Sequence, residues 1–207
     1  MTSWDKYADK AGDWSGEQYA DARTYLARRA ELVRSLGPRL APGDILLDLA
    51  CGDGGLADFL PEQRYVGVDA SEDMVAAGRR RGRELVQADL NDYEPPQPVQ
   101  ATTIFRAIYY ARDRRALFVR IGGYTEKKIV FDLNPRQYSL ADVRVDLLAA
   151  GFDQLDAHPF FVSQTRALPF PVALGLRGLE RVRPLAELVL RARFTFLCAA
   201  SRRVEAL

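Results

Sequence analysis

Between Asp44 and Gly151 the hydrophobic positions follow two rhythms, short continuous runs and longer stretches in which they recur every three or four residues. Ile45, Leu46, Leu47 and Leu49 are apolar on both alternating faces, which suits a strand buried inside a parallel sheet. Further runs of this kind are Tyr65 to Val68, ending in Asp69; Leu85 to Ala88, ending in Asp89-Leu90; Ala101 to Phe105, bounded by Arg106; and Lys128 to Leu133, broken by Asn134-Pro135. The second rhythm begins at Tyr19 to Leu36. There Ala22, Tyr25, Leu26, Ala30, Val33 and Leu36 form one stripe and leave Arg28, Glu31 and Arg34 off it. Gly37-Pro38 stops that helix and Pro42-Gly43 turns into the first strand. Ser71 caps a helix with Glu72 and Asp73 in its first turn, Arg79 to Arg81 near its last, and Gly82 to close it. Asp113 caps another, expected to run through Ile121 and end at Gly122-Gly123; Ser139 to Ala150 reads as a third. Strands alternating with helices predict a parallel α/β sheet with helices on both faces.

Beyond Gly151 the rhythm changes. Phe152 to Val162 and Phe194 to Ala200 have strand character. Between them, Arg166 to Arg193 is rich in Leu and Pro, with six arginines against Glu180 and Glu187. The simplest arrangement is a helical excursion between two strands at the sheet edge. Its many leucines suit a lid over a hydrophobic small molecule, an extra core layer, or a transient contact of 166–193 with a membrane surface.

The chemistry is concentrated after the first strand. ILLDLACGDGG ends an apolar run in an acid and breaks into small residues, where glycine lets the backbone turn tightly and approach a ligand. Leu56 to Leu60 is a short amphipathic piece, so strand, loop and helix start come in the order used to bind nucleotides. Asp69 follows Asp48 by about twenty residues, the spacing of a ribose-binding acid, and a carboxylate can accept from both hydroxyls of a vicinal diol. The competing role for Asp69 is to cap the next helix. Asp53 is expected to face outward.

A chain of 207 residues with 48% hydrophobic and 28% charged residues reads as globular, most simply one domain with a sizeable core or a core with a modest appendage. Its net charge of +1 gives no global attraction to nucleic acid. The first residues lack the apolar core of a signal peptide and no apolar run has membrane-spanning length, so a cytoplasmic location is the default. Cys51 and Cys198 are far apart without metal-ligand spacing, so no metal site is expected, and Cys51 suits a small filler in the loop better than a nucleophile.

DLACGDG, GVDAS, QADL and FDLNP, in this order and followed by a helix ending AAGF, resemble the class I S-adenosylmethionine-dependent methyltransferases over about residues 44 to 155. Ala50 stands where that family's pattern has its first glycine. The resemblance implies a three-layer Rossmann-like fold, a mostly parallel sheet with an antiparallel last strand and a helical insertion near the C-terminus. It implies S-adenosyl-L-methionine as cofactor and a small-molecule methyl acceptor. Residues 1–43 would form an N-terminal helical arm or lid, 44–162 with 194–207 the α/β core, and 163–193 the insertion. Asp48, Ala50, Cys51 and Gly52 would line the methionine part, Asp69 would take the ribose hydroxyls, and Ala70, Ser71 and Met74 would flank the adenine. Asp89 would accept from the adenine amino group, Leu90 would donate its backbone N–H, and Arg106 would lie near the methionine end or the substrate. Tyr7, Tyr19 and Arg23 are candidates for closing the site.

Displacement at an activated methyl needs the acceptor held close and water excluded, and a general base helps only if the acceptor must lose a proton. His158 and Tyr109 are the candidate catalytic residues, with Asp132 and Tyr110 as further possibilities at strand ends. Three other readings compete. Gly52 to Ala57 satisfies a loose G-x-G-x-x-A fingerprint of nicotinamide-dependent oxidoreductases, although three residues separate Asp48 from Gly52. A non-catalytic binding or scaffolding protein would keep the same loop. Nucleic-acid methylation is disfavoured, because Arg106-Ala107-Ile108-Tyr109 stands where some members carry Asn-Pro-Pro-Tyr.

Overall fold

The computed structural model describes residues 14–180 and 195–203. Seven strands form one sheet: β1 (Ile45–Leu49), β2 (Arg64–Asp69), β3 (Leu85–Gln87), β4 (Val99–Ile104), β5 (Thr125–Leu133), β6 (Gln154–Phe160) and β7 (Thr195–Ser201). Their spatial order is β3-β2-β1-β4-β5-β7-β6. All pairs are parallel except those of β7, which runs antiparallel to both β5 and β6. This is the mostly parallel three-layer sheet with an antiparallel last strand that the motifs imply.

The continuous apolar runs are explained by two core layers. Leu47, Leu49, Ile104, Ile129 and Phe131 pack on one face with Phe118 and Ile121 of α4 (Arg114–Tyr124) and with Val143 and Leu147 of α5 (Leu140–Ala149). Leu46, Val130 and Leu197 point to the other face. They meet Tyr25, Leu26 and Val33 of α2 (Ala22–Ser35) and Val75 of α3 (Glu72–Arg80). Successive strand residues thus serve opposite layers, and burying each such side chain contributes about 1.5–3 kcal/mol.

α4 departs from the expected boundary. It continues through Gly122 and Gly123 to Tyr124, and β5 begins at once with Thr125, three residues earlier than the sequence suggests. Gly122 is a packing residue rather than a stop, because a side chain there would collide with the carbonyl oxygen of Ala150. Lys128 within β5 is buried. Its Nζ donates to Leu36 O at 2.7 Å, satisfying a carbonyl at the end of α2, and burial lowers its pKa to about 8.

Between β6 and β7 the described part of the excursion holds α6 (Phe170–Leu179), which starts behind Pro169 and has no buried residue of its own. The Glu180 that follows it is buried. The remaining arginines and leucines of the excursion up to residue 193, and Tyr7 at the other end, lie outside the described residues. Among the described residues no helix is long and apolar enough to cross a membrane.

The chain runs outward from β1 through β2 to β3 and then crosses back to β4 on the other side of β1, so the strand order reverses between β1 and β4. In parallel sheets that reversal opens a crevice at the carboxyl ends of the strands.

Candidate functional site

The crevice is a cavity of about 330 Å³, floored by the residues that follow β1, β2 and β4 and covered by α1 (Trp14–Glu17) and the segment leading into α2. A volume in this range is sufficient for a small-molecule ligand.

Its floor is shaped by the loop after β1, where Ala50, Gly52 and Gly54 all adopt left-handed backbone (φ 55°, 61° and 73°). Glycine does this freely, and alanine at a cost of about 1 kcal/mol. Ala50→Gly is therefore expected to raise the melting temperature by about 2–4 °C in a thermal melt, without weakening ligand binding. At Gly52 a different constraint applies. The Trp14 ring lies against it, and a Cβ would sit 2.8 Å from Trp14 Cδ1.

Asp53 does not face outward. It is fully buried and accepts from Ser15 N at 3.3 Å, from Ser15 Oγ, and from Gly55 N at 3.3 Å. Arg81 and Arg83 meet its Oδ2 at 3.1 and 3.4 Å. The left-handed turns on either side swing its side chain inward, where two cations and three donors compensate the buried charge. Asp53 thereby fastens α1 to the glycine loop.

Two carboxylates line the cavity. Asp48 is buried, accepting from Thr103 Oγ1 at 2.6 Å and Tyr65 Oη at 2.7 Å. Burial dominates over those bonds and raises its pKa to about 6. Asp69 accepts from Gly52 N at 2.7 Å and from Ser71 N at 2.9 Å. Its carboxylate therefore pins the glycine loop to the end of β2 while lining the cavity, and burial shifts its pKa upward against those backbone bonds. The helix cap itself is supplied by Ser71, whose Oγ accepts from Met74 N at 3.4 Å. The wall also includes Ala50, Cys51, Ser71, Met74, Arg106, Tyr109 and Tyr110. Cys51 donates to Gly52 O at 3.4 Å and burial pushes its thiol pKa well up, which suits a filler.

Several expected residues are placed elsewhere. His158 is not on the cavity wall. It stands 3.2 Å from Arg28 Nη2 and 3.4 Å from Glu180 Oε2, in a cluster where Glu180 also accepts from Phe161 N. This group ties the end of α6 to α2 and β6, apart from the cavity lining. Ala70 is off the wall, and so is Leu90, whose side chain is in the core. Asp89 is also off the wall, where Asn91 N at 2.8 Å and Arg112 occupy its oxygens. Tyr19 lines the cavity, stacked on Tyr25 at 4.2 Å, whereas Arg23 is exposed beyond it.

Arg29 is the site residue that sequence reasoning passed over. It is 2% exposed, pairs with Asp132 at 2.7 Å, donates to Tyr25 Oη at 2.9 Å, and lies over the rings of Tyr25 and Phe105. Position 29 is one helical turn beyond Tyr25 and one before Val33, inside the apolar stripe. An arginine on the buried face was the available signal.

Arg106 also adopts left-handed backbone (φ 54°), held by its N–H donating to Asp132 Oδ1 at 2.6 Å. With the Gln164 side-chain amide turned so that its oxygen faces the cavity rim, that oxygen accepts from Arg106 Nη1 at 2.6 Å and from Gln18 Nε2 at 3.0 Å. Residues from ahead of β1, from the end of β4 and from the connection after β6 thus meet at one rim.

Comparison with known proteins points the same way. A methyltransferase-domain family matches residues 46–128. The trans-aconitate 2-methyltransferase of Rhodopseudomonas palustris is 38% identical over 93 residues, 41% of this chain and 35% of that protein. The protein of the same name from Sinorhizobium fredii is 33% identical over 184 residues, 82% of this chain and 62% of that protein. The chain therefore spans less than two thirds of the length of these curated relatives. Among solved structures, Haemonchus contortus phosphoethanolamine N-methyltransferase 2 in complex with S-adenosyl-L-methionine superposes with a TM-score of 0.66 at 17% identity, covering 98% of this chain and 61% of that one. At that identity the likeness is one of fold.

Proposed function

We propose that this chain is a class I S-adenosylmethionine-dependent methyltransferase that transfers a methyl group from S-adenosylmethionine to a small molecule. The observation that carries the proposal is the pairing of Asp48 and Asp69 on one cavity wall with the left-handed loop Ala50–Gly54 between them. Two carboxylates suit a ligand that carries an ammonium, a sulfonium and a vicinal diol. The cofactor supplies a methyl group already activated by the positive sulfur. The chain supplies grip and shelter. Asp69 receives the ribose diol, Ser71 and Met74 flank the base, and Asp48 faces the cationic amino-acid part. Asp89, Leu90 and Ala70 receive no role in this reading.

Trp14, Tyr19, Leu26, Leu56, Phe105 and Tyr109 give the cavity apolar walls that exclude water and suit an acceptor with an apolar body. The segment around α1 acts as the cover, and Gln164 at the root of the excursion completes the rim. The name shared by the two curated relatives makes trans-aconitate a first acceptor to test.

Calorimetry decides the cofactor: S-adenosylmethionine and S-adenosylhomocysteine are expected to bind, and nicotinamide dinucleotides are not. The reverse preference would favour the oxidoreductase reading. The pH dependence has a definite sign. In the free protein Asp48 gains its proton as pH falls through about 6, whereas a bound cation favours the carboxylate and lowers that pKa. Affinity is therefore expected to be level above pH 7 and to fall by up to about tenfold per unit on acidification below 6. Asp48→Asn should flatten the profile between pH 5 and 8. A wild-type profile already flat over that range removes the Asp48 role.

A further inference from the structure

The cavity holds charges of both signs. Asp48 and Asp69 bring two carboxylates to its lining, and Arg29 and Arg106 bring two cations. Arg29 is compensated, since Asp132 takes its guanidinium at 2.7 Å. Arg106 is not compensated in the same way. Asp132 accepts its backbone N–H, while its guanidinium meets the neutral amide oxygen of Gln164. Among the described residues no carboxylate pairs with that guanidinium. Its left-handed backbone is a strained conformation for a non-glycine residue, of the sort retained where a side chain must be aimed.

A second observation concerns protons. The described residues lining the cavity include neither an imidazole nor an amine; His158 stands apart with Arg28 and Glu180. Cys51 is held in its thiol form by burial, and both oxygens of Asp48 already accept hydrogen bonds. Such a site is better suited to an acceptor that is already an anion than to one that must be deprotonated.

We propose that Arg106 binds and orients a carboxylate on the acceptor, which makes the reaction a carboxyl O-methylation; this rests on the reading that the cavity holds the adenosyl cofactor. One carboxylate oxygen lies on the guanidinium and the other forms the new O–C bond. The C–S bond of the sulfonium breaks, its electron pair stays on sulfur, and the products are a methyl ester and a neutral thioether. No proton is transferred. Arg106 also offsets the acceptor's charge beside Asp48 and Asp69, which would otherwise repel it.

The test uses the full chain loaded with S-adenosylhomocysteine and matched acid and amide probes: trans-cinnamate with trans-cinnamamide, octanoate with octanamide, and trans-aconitate with its triamide. Equilibrium binding is the readout, with methyl-ester formation by mass spectrometry in S-adenosylmethionine as a second. At least one acid is expected to bind about ten- to a hundredfold tighter than its amide. Arg106→Gln should erase that preference in a protein that still binds S-adenosylhomocysteine, and Arg106→Lys should restore part of it. Arg106→Asn, which tolerates left-handed backbone, provides a second variant if glutamine disturbs folding. Equal binding of acids and amides, no acid binding at all, or a preference that survives in Arg106→Gln overturns the proposal. If S-adenosylhomocysteine itself fails to bind the wild type, the cofactor reading fails first, and the two failures are distinguishable.

Discussion

Asp69→Ala is expected to lose at least a hundredfold in affinity for S-adenosylmethionine while the melting temperature moves by only a few degrees. In the proposed complex this carboxylate accepts two ribose hydroxyls, and a hydrogen bond to a charged acceptor contributes about 1.5–3 kcal/mol. Two of them amount to roughly 3–6 kcal/mol, or two to four powers of ten in Kd. The same side chain accepts from Gly52 N and Ser71 N, so its loss also frees the loop that contacts the ligand. Folding suffers less than binding, because removing a carboxylate that burial already disfavours offsets part of the two lost backbone bonds. Ser71→Ala provides the contrast. It removes the cap on Met74 N, costs about 1 kcal/mol of stability, and should leave affinity nearly intact. Calorimetry and thermal melts on the three proteins separate ligand contact from scaffold, and an Asp69→Ala protein that binds within threefold of wild type removes the ribose role.

These residues could be read from the sequence because their positions are fixed by local rules. A strand buried on both faces must be apolar throughout, so Ile45–Leu49 and the runs beside it were legible, and Asp48 and Asp69 near the ends of the first two were conspicuous against them. Ser71 declared itself by its place ahead of Glu72 and Asp73. What was not legible depends on contacts distant in the chain. Asp53 reads as a surface residue until Ser15, Arg81 and Arg83 are brought around it from both sides. His158 is drawn from the candidate site by Arg28, 130 residues away, and by Glu180. Gly122 reads as a helix stop, because nothing local reveals that α5 will press Ala150 against it. Arg29 is the instructive case. Its place on an apolar stripe was visible, but a buried cation makes sense only once Asp132 has been delivered by β5.

That pair carries the other large effect. Arg29→Met is expected to destabilise the protein by about 3–5 kcal/mol in urea unfolding at pH 7, because it leaves the Asp132 carboxylate largely buried without its cation. Part of the loss comes from the rings. The guanidinium lies 4.3 Å from the centre of Phe105 and 4.6 Å from that of Tyr25, contacts that methionine replaces only in part. The double variant Arg29→Met with Asp132→Asn should recover most of the stability, since asparagine removes the stranded charge and keeps an oxygen for the Arg106 N–H. Asp132→Leu in its place should recover less. It would leave that N–H without its acceptor, at a cost of about 1–3 kcal/mol, and would release the left-handed turn that aims Arg106. The asparagine double variant should accordingly keep both S-adenosylmethionine binding and the preference for acids over amides. The leucine double variant should keep the first and lose the second, because the cofactor wall formed by Asp48, Asp69 and the glycine loop does not depend on the turn at Arg106. If the two double variants are equally stable and equally selective, Asp132 acts only as a counterion to Arg29 and does not position the acceptor side of the cavity.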